Sequence, residues 1–121
     1  MIRGRWTWVL GWAVLIEMLL LWPSPPEVPR LFSSIGFDKI VHAVLFAVQA
    51  VLGAWALAER GRSAWPALVG TIAFGALTEL QQHLMPSRAM ELGDLLADAA
   101  GAALGLALFA ALAPTRRELH R

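Results

Sequence analysis

Residues 94–113 read DLLADAAGAALGLALFAALA. A run of about 20 mainly apolar residues is long enough for a helix to cross ~30 Å of hydrocarbon. This run carries both of its acids, Asp94 and Asp98, at its start. On a helix Asp94, Asp98, Gly101 and Gly105 fall at i, i+4, i+7 and i+11. They form one stripe, with carboxylates at one end and small residues deeper. The spacing predicts a membrane helix over about 90–113, stopped by Pro114.

Working outward, three further apolar stretches cover about 6–22, 37–58 and 65–84. Arg3 and Arg5 precede the first, a pattern that also describes a secretory leader. Its exit, Trp22-Pro23-Ser24-Pro25-Pro26, has no small-residue cleavage pattern, so a retained helix is expected. Glu59-Arg60-Gly61-Arg62-Ser63 reads as a tight polar turn, and Trp65-Pro66 opens the third helix with proline in its first turn. The fold expected is an all-α integral membrane four-helix bundle, a single domain over residues 1–121.

Composition agrees with that reading. The 121 residues are 58% hydrophobic and 16% charged, where a soluble domain has roughly a quarter charged residues. The net charge of +1, with arginines scattered at helix ends, gives no nucleic-acid footprint. Absence of cysteine excludes disulfides and thiol chemistry. Six Trp residues suit a chain with anchors at lipid–water boundaries.

Basic residues set the expected orientation. Arg3, Arg5, Arg60, Arg62, Arg116, Arg117 and Arg121 lie on one side, and Arg30, Lys39 and Arg88 on the other. Seven against three places both termini in the cytoplasm. Because successive helices alternate in direction, the start of the second, the end of the third and the start of the fourth then share the outer face. Those three ends carry Asp38, Lys39 and His42; Glu79 and Gln82; and Asp94 and Asp98.

Charges inside spanning helices cost about 2.5–3.5 kcal/mol each on insertion scales and commonly mark function. Asp38 and Asp94 also have a plain explanation, since an anion is favoured in the first turn by the helix dipole. Glu79 has none. It lies near the negative end of its helix among apolar neighbours, so it needs a partner from another helix: Lys39, His42 or Arg88. Glu17 lies toward the outer half of the first helix, and Gln81 and His83 read as interfacial.

Asp38, His42, Glu79, Asp94 and Asp98 together supply enough oxygen and nitrogen to hold a divalent metal. Neither H-E-x-x-H nor a P-loop is present, and Ser24 and Ser87 have no neighbouring base. The catalytic candidates, if bonds are broken, are His42, Glu79 and Asp94.

Asp38-Lys39-Ile40-Val41-His42, Glu79-Leu80-Gln81-Gln82, Arg88 and Asp94-Leu95-Leu96-Ala97-Asp98-Ala99-Ala100-Gly101 occur in that order over nearly the whole chain. This combination resembles the VanZ-like family, whose pattern reads D-K-x-x-H, E-x-x-Q, R, a spaced D, then N-x-x-G. Asp38, Lys39, His42, Glu79, Gln82, Arg88, Asp94 and Gly101 hold the family positions, while Asp98 stands where the family usually has Asn. The resemblance implies a small multispan protein of the bacterial cytoplasmic membrane, from a family named for glycopeptide-antibiotic resistance. It supplies no reaction.

The expected ligand-binding residues are therefore Asp38, Lys39, His42, Glu79, Gln82, Arg88, Asp94 and Asp98. The leading expectation is an outward-facing polar pocket that recognises an anionic, lipid-linked or phosphorylated cell-envelope component, with Lys39 and Arg88 holding the anion. One alternative is a membrane-embedded, metal-assisted transferase or hydrolase acting on a lipid-linked envelope precursor. Another is a purely structural or accessory protein. The partners expected are membrane lipid or such a precursor, and other membrane proteins, with no nucleic acid.

Overall fold

The structure, a computed structural model, describes residues 4–21, 35–84 and 92–112. They form four helices: α1 (Gly4–Leu21), α2 (Ile35–Glu59), α3 (Trp65–His83) and α4 (Leu92–Leu112). Among the described residues there is no strand, so the all-α expectation holds. Three segments, 4–21, 39–59 and 92–112, are long and apolar enough by length and composition to cross a bilayer. α3 is not one of them, because its buried face is given over to Thr71, Thr78, Glu79 and Gln82.

The pattern of burial is that of a protein whose solvent is lipid. Leu104, Leu108 and Leu112 on α4, Ile40 and Val44 on α2, and Val69 and Leu77 on α3 are exposed. His42, Gln49, Thr78, Glu79, Gln82, Asp94 and Asp98 are buried. In water this would leave a large apolar surface bare. In hydrocarbon, association between helices relies instead on close packing and interhelical hydrogen bonds.

Contacts across the bundle fix the helix directions. α2 and α4 run parallel, with Lys39 beside Asp94, His42 beside Asp98, Ala43 beside Gly101 and Ala47 beside Gly105. α1 runs antiparallel to α2: Arg5 Nη1 donates to the Trp55 carbonyl (2.7 Å) and Trp12 Nε1 to the Leu45 carbonyl (2.9 Å). α3 returns beside both, with Gly53 against Ala67 and Gly75 against Asp98. The end of α3 therefore lies at the same end of the bundle as the starts of α2 and α4.

Local chemistry sets the turn between α2 and α3. Gly61 takes φ +69°, a left-handed conformation that glycine adopts without a Cβ clash. Arg62 N–H donates to the Leu57 carbonyl and Gly61 N–H to the Ala58 carbonyl, closing the end of α2 as a Schellman motif. At this end Arg5 also pairs with Glu59 at 2.8 Å and lies over the Trp55 ring at 4.6 Å. The α1 start and the α2 end are thus clasped by one side chain.

The core is small. Ile16 and Leu20 of α1 meet Leu45 and Phe46 of α2, with Trp12, Val41 and Phe74 packed around them. Trp12 is drawn inward by its hydrogen bond to α2, so it is not an interfacial anchor.

The closest approach is between α2 and α4. A Cβ on Gly101 would collide with the Ala43 carbonyl, and one on Gly105 with the Ala47 carbonyl. Gly101→Leu and Gly105→Leu should each destabilise the bundle by about 1–3 kcal/mol or more. Gly11→Ala, where nothing lies within 4 Å of the new methyl, should leave stability unchanged or slightly raised. Unfolding in detergent, followed by tryptophan fluorescence, checks this ranking.

Candidate functional site

Two levels of polar side chains occupy the seam where α2, α3 and α4 meet. At the outer level Lys39 Nζ donates to Asp94 Oδ1 at 3.1 Å. Their side chains are 29% and 9% exposed, so this pair forms the rim of the cluster. Gly93 makes the contact feasible, since a Cβ there would press on the Lys39 Cε. One helical turn deeper, His42 Nδ1 lies 2.7 Å from Asp98 Oδ1, with both side chains at or below 1% exposure. The imidazole and the carboxyl group share one hydrogen bond at this contact.

Glu79 joins the deeper level from α3 and is itself buried. One ligand-type atom from each of His42, Glu79 and Asp98 lies within 4.8 Å of the others. The two levels are linked, because His42 Nε2 stands 3.9 Å from Asp94 Oδ2. Each helix supplies its members at i and i+3 or i+4: Lys39 and His42 on α2, Asp94 and Asp98 on α4. The parallel register of those helices brings like depths together.

Beneath the cluster the environment becomes apolar. Phe46, one turn below His42, stacks on the imidazole with ring centroids 6.4 Å apart. Phe74 of α3 leans on Phe46 at 5.8 Å. A cleft of about 280 Å³ lies on the far side of this floor, between α1, α2 and α3, and is lined by Trp6, Leu10, Gly53, Phe74 and neighbours. It contains none of the charged residues of the cluster.

Other polar residues hold the helices together. Gln82 Nε2 donates to the Leu20 carbonyl at 2.9 Å, satisfying an orphan acceptor in the last turn of α1. Gln49 Nε2 donates to the Val9 carbonyl at 3.3 Å, and Thr78 returns its hydroxyl to the Gly75 carbonyl at 2.8 Å within α3. Gln81, with its amide nitrogen turned to α1, donates to both carboxylate oxygens of Glu17, at 2.8 and 3.2 Å. The Glu17–Gln81 seam was not evident from sequence, where Gln81 reads as interfacial. Its signal, an acid on α1 and an amide on α3 at the same depth, appears only once the helices are aligned.

Of the residues expected to bind ligand, Lys39, His42, Glu79, Asp94 and Asp98 converge. Gln82 lies at the same end but is engaged by α1. The side chain of Asp38, in the first turn of α2, and the whole of Arg88 lie outside the described residues.

The rim pair generates a prediction. In a double-mutant cycle, Lys39→Met and Asp94→Asn should show a coupling of about 0.5–3 kcal/mol in detergent unfolding, with the double variant more stable than the two single losses sum to. Additive losses would mean that the two side chains do not interact.

Comparison with known proteins adds the family. No curated protein and no solved structure matches the chain, but the family model VanZ/LLP1 matches residues 5–113. That range takes in all four helices and both levels of the cluster, and it agrees with the D-K-x-x-H and E-x-x-Q segments read from the sequence. The chain belongs to the VanZ/LLP1 family.

Proposed function

We propose that this protein is a multi-pass component of a bacterial cytoplasmic membrane that recognises an anionic group on a lipid-linked or phosphorylated cell-envelope component. Both termini face the cytoplasm, as the distribution of arginines favours. The Lys39–Asp94 rim then faces the outer leaflet, at the depth of lipid headgroups. The link to glycopeptide-antibiotic resistance rests on the family resemblance.

The observation that carries this reading is the difference in exposure between the two levels. The Lys39 side chain is 29% exposed, while His42 and Asp98 below it are closed off. Lys39 is a compact cation in contact with the Asp94 carboxylate at the mouth. An arriving phosphate or carboxylate can replace or share that partner without the Lys39 charge ever being buried alone. Such charge-assisted bonds contribute about 1.5–3 kcal/mol each. Arg88, in the sequence between α3 and α4, would add a planar fork suited to phosphate.

A second reading draws on the His42–Asp98 contact. An imidazole oriented by a buried carboxylate is the arrangement of a general base. Under this reading the same cluster serves a membrane-embedded enzyme acting on a lipid-linked precursor, with His42 moving the proton.

Native mass spectrometry of the purified chain in nanodiscs containing a polyprenyl phosphate and phosphatidylglycerol tests the proposal. Wild type should retain a phosphate-bearing lipid, and Lys39→Met should lose it by about tenfold, the equivalent of one charge-assisted bond. Equal retention by wild type and Lys39→Met would overturn the headgroup reading. Chemical change of the retained lipid, abolished in His42→Gln, would favour the enzyme.

A further inference from the structure

The deeper level of the cluster is poorly explained by headgroup recognition, because its side chains are buried and mostly acidic. We infer that His42, Glu79 and Asp98 form a binding site for one divalent first-row metal ion, held between α2, α3 and α4.

Three observations meet here. The first is geometric: one ligand atom from each residue lies within 4.8 Å of the other two. Ligands of a first-row ion stand about 3–4.4 Å apart at bond lengths of ~2.0–2.2 Å, so a small inward closure completes the site. The second is an orphaned atom. Asp98 is fully buried, and its Oδ2 accepts no hydrogen bond from any described residue. That oxygen is turned toward α3, since a Cβ on Gly75 would sit 3.0 Å from it. Gly75 is one turn below Glu79 on α3. Asp98 therefore uses Oδ1 to orient His42 and presents Oδ2 toward the helix that brings Glu79.

The third is charge. Among the described residues the cluster has three carboxylates, Glu79, Asp94 and Asp98, facing one lysine and one histidine. Lys39 sits at the rim on Asp94. A divalent ion at the lower level would draw carboxylates from two helices onto one centre, in a setting where charge is costly to bury.

Donor chemistry narrows the ion. A nitrogen with two carboxylate oxygens, in a chain without cysteine, suits Mn²⁺, Fe²⁺ or Zn²⁺ better than the all-oxygen preference of Ca²⁺ and Mg²⁺. Three protein ligands leave at least one position open on the ion. Binding of the ion itself does not depend on the headgroup reading above.

The test uses the full chain in detergent, stripped by a chelator and titrated with Mn²⁺ or Zn²⁺ alone. Free Mn²⁺ is read by electron paramagnetic resonance, and bound Zn²⁺ by elemental analysis after desalting. Wild type should take up one ion per chain. Glu79→Gln and Asp98→Asn should each weaken binding at least tenfold while keeping wild-type helicity, and His42→Gln serves if either fails to fold. Lys39→Met should bind as well as or better than wild type, because it removes a neighbouring positive charge. Absence of saturable binding by folded wild type up to millimolar ion, or binding unchanged in Glu79→Gln and Asp98→Asn, would overturn the site. Loss of the ion with Lys39-dependent lipid retention intact would leave the headgroup reading standing alone. Ion binding without that retention would do the reverse.

Discussion

The close parallel contact of α2 with α4 sets everything else in this molecule. Gly101 and Gly105 lie flat against the Ala43 and Ala47 carbonyls, so the two backbones approach as closely as an interface without side chains permits. The register that these glycines impose continues upward without adjustment. It places Asp98 opposite His42 and, a turn higher, Asp94 opposite Lys39. A shift of one residue along either helix would rotate each acid by about 100° and separate both pairs. Packing in the apolar half thus determines the electrostatics of the polar half. The dependence is in that direction because backbone contacts are stiff and long polar side chains are not.

α3 has a different task. It is the least apolar of the four helices, and it falls short of a membrane span in apolar content rather than in length. The same residues that lower its apolar content, Thr71, Thr78, Glu79 and Gln82, are the ones it buries. A helix of this kind is stable in lipid only when neighbours cover its polar stripe. α1 covers the upper end through Gln82 and Gln81, and α2 and α4 cover the middle. The polar side chains of α3 therefore require the bundle as much as they contribute to it. Glu79 is placed beside His42 and Asp98 by that enclosure.

Much of this was legible in the sequence, and the limits have physical reasons. Helix number and the shared end for the polar residues followed from apolar run length and from alternation of direction. The stripes Asp94–Asp98–Gly101–Gly105 and Thr71–Gly75–Glu79–Gln82 followed from helical periodicity alone. Pairing did not follow. The sequence offered Lys39, His42 and Arg88 as equal partners for Glu79, and nothing in spacing assigns Lys39 to Asp94 or His42 to Asp98. That assignment needs the rotation of each helix about its axis, which only the glycine contacts supply. The interior hydrogen bond of Trp12 to the Leu45 carbonyl likewise depends on where α1 meets α2, which composition does not tell.

The depth of the cluster bears on what it is for. If its charges served only to hold helices together, the design would be an expensive one. Buried ion pairs are commonly replaced by apolar residues of similar volume with no loss of stability, or with a gain. Clamping is already achieved here by less costly means: the Gly101 and Gly105 contacts, the amide bonds from Gln49 and Gln82, and the Arg5–Glu59 clasp at the opposite end. At the lower level two acids surround one imidazole, and one oxygen of Asp98 accepts no hydrogen bond from the described residues. Below them Phe46 and Phe74 pack together under the imidazole, so among the described residues an apolar layer follows the charged one. On the proposed reading, the cluster offers a partly exposed lysine at its rim to an anion and buried carboxylates beneath it to a cation.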